Sequence, residues 1–196
     1  MTVFAGPNGA GKSTLRDEWN LTHALGTIID ADAIMKQRHL TDIEAGKETI
    51  RLVEMCIHDR ISFALETTLS GHLIFDQMIR AKGHGFQIHL LFVSLASPLE
   101  HQKRVEQRVA KGGHAIPAAD IKRRYYRSLA NLPKAIALAD RADVFTNVSR
   151  YIQVCSMEQG RIVYKNRQSP EWTRKVMHQL EELNHPPDLP RRGHRR

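Results

Sequence analysis

The 196-residue sequence has little cysteine. Its two thiols, Cys56 and Cys155, stand far apart and outside any Cys-x-x-Cys pattern. That argues against a disulfide scaffold or a zinc–cysteine site and fits a reducing compartment. No apolar run approaches the roughly 18 residues that a membrane span requires. No secretory signal is read either, because a glycine-rich segment begins at Gly6, where a signal's basic and apolar regions would stand. The expected location is the cytoplasm, with no membrane contact. The histidines show no metal-ligand spacing, and no internal repeat is present. What remains, 41% hydrophobic and 26% charged residues, is the composition of an ordinary globular chain. A chain of this length buries about two-thirds of its unfolded surface and needs no staple.

The formal net charge of +8 is concentrated in two places. Residues 98–127 hold Lys103, Arg104, Arg108, Lys111, Lys122, Arg123, Arg124 and Arg127 against Glu100, Glu106 and Asp120. Residues 185–196 hold four arginines against Asp188, and the rest of the chain is neutral. Focused positive charge suits a polyphosphate or another compact anion, whereas nucleic acid favours a broader basic face. Nucleic acid contact is therefore expected, if anywhere, only through the tail.

Hydrophobic patterning predicts strands alternating with helices. Strands are read at residues 2–5, 27–29, 61–65 and 86–95, with a fifth beginning at Val144. The first strand is short for its position, so an earlier start to the chain is expected. A helix follows residue 12, and another is capped by Thr41, with Ile43, Ile50, Val53 and Ile57 along one face. Residues 73–81 are helical and are stopped by Gly83 and Gly85. Pro98 opens a helix that Gly112-Gly113 ends. Pro117 starts the next, with Ile121, Tyr125, Leu129, Leu132 and Ile136 on one face and Pro133 as a potential kink or break. Residues 151–154 and 161–164 flank Glu158-Gln159-Gly160 as a hairpin. Trp172, Val176, Leu180 and Leu183 mark a final amphipathic helix. This alternation indicates a right-handed α/β domain with a parallel sheet over residues 1–184 and a flexible basic tail at 185–196.

Gly6-Pro7-Asn8-Gly9-Ala10-Gly11-Lys12-Ser13-Thr14 satisfies the phosphate-loop pattern between a strand and a helix. Glycines let the backbone curl so that successive N–H groups face phosphate oxygens, and the helix beginning at Lys12 adds its positive dipole end. Lys12 reaches the terminal phosphates of ATP, and the Ser13 hydroxyl is the expected Mg²⁺ ligand. The central strand ends without the Asp that a motor or switch would supply there. Asp30, Asp32 and Glu66 instead follow two other strand ends, which in an open α/β sheet face the ligand crevice. Such a layout suits a small-molecule kinase, with one carboxylate taking the acceptor hydroxyl's proton. Either Asp could instead merely cap the segment that follows. If that segment turns into a helix at Ala31, only one of the pair reaches the acceptor; Asp32 is taken as the base and Asp30 as structural or near Mg²⁺. Across the Gly112-Gly113-His114 loop, residues 98–127 read as a helical lid. Arg108, and more weakly Arg104, Arg123 and Arg124, would meet phosphates; a solvated charged face is the alternative.

Ile29-Asp30-Ala31-Asp32, then Phe63-Ala64-Leu65-Glu66-Thr67-Thr68-Leu69-Ser70-Gly71, then Arg108 to Pro117 with its Gly-Gly-His-Ala-Ile-Pro, then Ile121 to Tyr125, and finally Arg127-Ser-Leu-Ala-Asn-Leu132, follow the phosphate loop in that order. Together they resemble the zeta-toxin family, in particular its Gram-negative branch labelled "predicted ABC-type ATPase". The resemblance spans residues 2–140. It implies a kinase-like P-loop NTPase fold of three layers with an Arg-rich lid, closed by the hairpin and helix above. It also implies the toxin of a toxin–antitoxin module, with a small antitoxin as partner. Its ATP γ-phosphate would pass to the 3′-hydroxyl of the amino sugar of UDP-N-acetylglucosamine. By motif, Asp32 would be the general base, Glu66 with Thr67 and Thr68 would bind substrate, and Arg108 would be the lid arginine. Arg123 or Arg124 would stand in for a second lid arginine, and Glu48 or Glu54 for a further substrate carboxylate. Two other readings are a kinase of another small metabolite or nucleotide, and a nucleotide-dependent binding ATPase that uses the basic tail.

Overall fold

The computed structural model describes residues 1–184, with side chains to residue 180. The tail expected at residues 185–196 lies outside the described residues, and the predicted apolar position Leu183 lies outside the described side chains. The elements run β1 (Thr2–Ala5), α1 (Lys12–Asn20), β2 (Thr27–Ile29), α2 (Ala31–Arg38), α3 (Asp42–His58), β3 (Phe63–Thr67) and α4 (Leu73–Gly83). They continue with β4 (His89–Ser94), α5 (Pro98–Ala110), α6 (Ala118–Leu138), β5 (Arg141–Asn147), β6 (Tyr151–Glu158), β7 (Arg161–Lys165) and α7 (Glu171–Asn184).

The seven strands form one sheet in the order β2-β3-β1-β4-β5-β6-β7. The first five are parallel, and β6 and β7 join antiparallel. Alternate residues of each strand face opposite sides of the sheet. Val3, Ala5, Leu65, Leu90 and Phe92 pack with apolar residues of α3, α4, α6 and α7 in the larger core. Phe4, Ala64, Leu91 and Val93 pack with Leu15 and Trp19 of α1 on the opposite side. Burial on both faces explains why β4 is an almost unbroken apolar run. The result is the expected three-layer α/β fold. Among the described residues no helix is long and apolar enough to cross a membrane.

Local signals account for many boundaries. Thr41 and Glu44 close a reciprocal capping box at the start of α3. Ser97 caps α5, with Pro98 in its first turn. Gln159 and Gly160 both have positive φ, 49° and 74°, which suits the tight turn between β6 and β7.

Several expectations are corrected. Pro133 neither breaks nor ends α6, which runs continuously through it; its ring is buried, and packing of the helix face outweighs one missing N–H. Ile43 and Ile50 are exposed; α3 buries the expected Val53 and Ile57, joined by Ala45 and Cys56. β3 starts later than read and runs on to Thr67, so Glu66 lies within the strand. β4 is shorter, running His89–Ser94, so residues 86–88 and Leu95 lie outside the ladder. Finally, the segment after Asp30 does turn into a helix, Ala31–Arg38.

Candidate active site

β1 lies between β3 and β4, so the chain is wound outward from it in both directions. The carboxyl ends of β1, β2 and β3 therefore open on one crevice. Between β1 and α1 the backbone curls with φ of +74° at Gly9 and +98° at Gly11. Side chains have no room at either place. A Cβ on Gly9 would stand 2.8 Å from the His101 carbonyl oxygen, and one on Gly11 would stand 2.5 Å from Asn147 Nδ2.

Lys12 opens α1 and is buried; its Nζ donates to the Pro7 carbonyl at 3.2 Å and lies 3.8 Å from Glu66 Oε1. Burial pulls its pKa below the usual lysine range; Glu66, Asp32 and Asp30 oppose that shift, and Arg108 adds to it. Arg108 thus belongs to the same electrostatic site although it comes from α5. Ser13 Oγ donates to Glu66 Oε1 at 3.2 Å. Burial raises the Glu66 pKa, with Asp30 adding to the effect and Lys12, Arg16 and Ser13 opposing it.

Arg16 was not anticipated. One turn beyond Lys12, its Nη1 donates to Asp30 at 2.8 Å and to Glu66 at 3.2 Å. It neutralises two carboxylates that would otherwise repel each other beside the loop. The i, i+4 spacing from Lys12 was a usable signal, because it places Arg16 on the same helix face.

The start of α2 separates the two aspartates. Asp30 is the N-cap, its carboxylate accepting from the backbone N–H groups of Asp32 and Ala33 at 3.0 and 3.4 Å. With Arg16 on its other oxygen, Asp30 is fully engaged. Asp32 is exposed and lines two adjoining cavities. One, of about 520 Å³, is walled by Lys36, Arg108, Lys111 and His114. The other, of about 310 Å³, is walled by Asn8, Asp42, Pro117 and Arg124. A third cavity of about 540 Å³ shares Ala31 and Arg124 with the second; Glu66, Thr67 and Thr68 line it opposite Arg123 and Arg127. The three form one trough, with Asp32 at the junction of its basic end and its middle.

The loop after β3 holds a strained residue. Leu69 is fully buried with φ +56°, a conformation that costs a non-glycine residue about 1 kcal/mol or more. Its N–H bonds Thr67 Oγ1, and Asn131 of α6 donates to its carbonyl at 2.9 Å. The turn thereby keeps Thr68 and Ser70, mutually hydrogen-bonded, on the wall of the third cavity.

The arginines of residues 98–127 divide. Arg108 lines the basic cavity and donates to the His114 carbonyl. Arg124 donates to Asn8 Oδ1 at 3.3 Å, tying α6 to the phosphate loop, while Arg123 pairs with Asp120. Arg104 lines the same basic cavity as Arg108, and its guanidinium is also held on the carbonyls of Asn147 and Val148, both at 2.7 Å, so that it braces the β5–β6 turn. Glu48 is tied to Arg38 and Arg51, and Glu54 pairs with Arg80; neither lines a described cavity of the trough. His72 holds the N-cap position of α4 without a side-chain cap bond. Among the described residues no trio of His, Cys, Asp or Glu could hold a metal ion. Ser13 and Glu66 nonetheless offer two hard oxygen donors side by side, the donor type that Mg²⁺ takes together with phosphate and water.

No family model matches the chain. An uncharacterized protein of Haemophilus influenzae is 39% identical over 127 residues, which cover 62% of this chain and 89% of that protein. The chain belongs to the same family as that protein. Among solved structures, one from the PezAT chromosomal toxin–antitoxin system of Streptococcus pneumoniae superposes with a TM-score of 0.60 at 14% identity, covering 92% of this chain and 83% of that one. AvrRxo1-ORF1:AvrRxo1-ORF2 with sulphate ions gives a TM-score of 0.63, and the same pair with ATP gives 0.64. Both are 14% identical and cover 90% of this chain. The chain spans 62% of the length of the matched AvrRxo1 chains. At these identities the likeness is one of fold alone, the three-layer α/β arrangement described above.

Proposed function

We propose that this chain is an ATP-dependent phosphotransferase of zeta-toxin type, acting on a hydroxyl of a nucleotide sugar such as UDP-N-acetylglucosamine and held in check by a small antitoxin. The observation that carries this reading is the trough itself. An unengaged carboxylate, Asp32, stands between a basic cavity that suits transferring phosphate and a path to a cavity whose Glu66, Thr67 and Thr68 suit a polyhydroxyl acceptor. The fold shared with a protein of a toxin–antitoxin system, and with one solved with ATP, supports the same reading.

In this reading the backbone of Gly6, Pro7, Asn8, Gly9, Ala10 and Gly11, with Lys12, Ser13 and Thr14, binds the ATP phosphates. Ser13, with Glu66 beside it, would hold Mg²⁺, which supplies charge neutralisation on the phosphate oxygens. Asp32 takes the acceptor hydroxyl's proton as its oxygen attacks the γ-phosphorus and the bond to ADP breaks. Arg108 and Arg124 face the charge that spreads over the transferring group. Residues 1–184 form the kinase-like domain, with residues 98–127 as its lid.

The test is incubation of the protein with ATP and a bacterial metabolite extract, followed by mass analysis. A gain of one phosphate on UDP-N-acetylglucosamine is expected. A gain on a different metabolite would replace the acceptor and keep the kinase. ATP consumption that ignores small acceptors and responds to RNA would favour the binding ATPase and overturn the proposal.

A further inference from the structure

When the N–H groups of a phosphate loop converge on an anion, its carbonyls must point the other way, into protein. Buried carbonyls need donors, so the loop is only as well formed as the groups behind it. In this protein those groups come from distant parts of the chain. His101 Nδ1 bonds the Asn8 carbonyl at 2.7 Å. Asn147 Nδ2 donates to the Ala10 carbonyl at 2.9 Å, and Tyr151 Oη donates to the Gly11 carbonyl at 2.7 Å. Together with Lys12 on Pro7, the carbonyls of Pro7, Asn8, Ala10 and Gly11 each accept from a side chain.

The donors are themselves held. The Leu95 N–H donates to His101 Nε2 at 3.1 Å, which fixes the tautomer with its proton on Nδ1, facing Asn8. Asn147 and Tyr151 are opposite partners at the turn end of the β5–β6 pair. Arg104, one turn beyond His101 on α5, clamps the intervening turn through the carbonyls of Asn147 and Val148. The clasp also presses on Gly9 and Gly11, which explains why a Cβ has no room there.

We propose that His101, Asn147 and Tyr151 are positioning residues that hold the phosphate loop in its anion-binding curl, with Arg104 keeping the last two in place. None need touch a phosphate, and their effect is on every polyphosphate alike, whatever base it carries. This inference rests on the phosphate-binding reading of residues 6–14, not on the identity of the acceptor.

The experiment uses the full chain and calorimetric titration with Mg·ATP and, separately, with inorganic tripolyphosphate. Tyr151→Phe removes one hydroxyl and keeps the ring. It is expected to weaken both ligands by the same factor, about three- to tenfold, the range of one hydrogen bond. Tyr151→Phe combined with Asn147→Ala is expected to weaken both further and still equally. His101→Asn, whose amide nitrogen stands near the place of Nδ1, should recover part of the affinity lost in His101→Ala. A substitution that only loosened the fold would lower the melting temperature without this recovery. Loss of ATP affinity with tripolyphosphate unchanged would show that the β5–β6 turn contacts the base, and would overturn the proposal. So would unchanged affinity for both ligands in the double variant. If the unsubstituted protein bound neither ligand, the phosphate-loop reading itself would fall.

Discussion

The two walls of the crevice are built differently. On the phosphate-loop wall nearly every polar group is already committed. Carbonyls are met by Lys12, His101, Asn147 and Tyr151, and Glu66 and Asp30 are met by Ser13 and Arg16. On the wall made by α2 and residues 98–127, Asp32, Lys36, Arg108, Lys111 and Arg127 are exposed. Their few mutual bonds, such as Arg123 with Asp120, are of the surface kind that contributes little. The difference teaches a division of labour. In the proposed reading the loop backbone, fixed in advance, meets the ATP phosphates, while exposed side chains meet the acceptor and the transferring group.

The largest effect should come from breaking the fixed wall at its charge. Lys12→Ala removes the cation proposed to meet the transferring phosphate and should lower turnover by several powers of ten. Near-normal turnover in a folded variant would refute the phosphate-loop assignment. Next, Asp32→Asn keeps the size but cannot take a proton, so single-turnover transfer should fall about 10²–10⁴-fold while ATP affinity holds. Asp30→Asn, measured in parallel, should leave the chemical step within a few-fold, because Asn also caps helices. If Asp30→Asn proves the more damaged, the two roles are exchanged.

Gly11→Ala adds a Cβ against Asn147 and Tyr151 at a φ that alanine resists. Nucleotide affinity should fall about ten- to a hundredfold, read by titration. A smaller loss than that of Tyr151→Phe would mean that the fixed wall yields more readily than its bonding suggests.

pH provides a gentler probe. Burial first, then Lys12 and Arg104, hold the His101 pKa down to about 4 against an ordinary 6.5, opposed by its bond to Asn8. Between those values the unfolded chain binds a proton that the folded chain refuses. Stability should therefore fall as pH drops through that window, and His101→Asn should flatten the slope in denaturant titrations. Smallest of all, Thr41→Ala removes a cap whose side chain lines none of the three cavities. It should cost about 1 kcal/mol of stability with turnover unchanged.

Sequence legibility followed the same division. The phosphate loop, the Thr41 cap, the helix start at Pro98, the strand–helix alternation and the terminal hairpin were readable because each is set by residues within one turn of each other. The arginine-rich segment was readable as charge, but not as function. Arg104, Arg108 and Arg124 all line the trough, but only Arg104 is also anchored on the Asn147 and Val148 carbonyls, and nothing in the spacing of Arg104 and Arg108 distinguishes them. Half of the apolar face read for α3 was misplaced for a related reason. Ile43 and Ile50 fit the helical period, yet only the packed sheet decides which stripe it covers.

The sequence by itself determined that a strand, a glycine loop and a helix opening with Lys12 would meet, because steric freedom and helix capping act over a few residues. Only the tertiary structure decided the rest. Asp30 became a cap and Asp32 a free carboxylate once α2 began at Ala31 and Arg16 lay across β2 and β3. His101, Asn147 and Tyr151 reach the loop from 93, 137 and 140 residues away along the chain. Hydrogen bonds of that reach leave no periodicity in a sequence, since the distance that matters is fixed by the order of strands in the sheet.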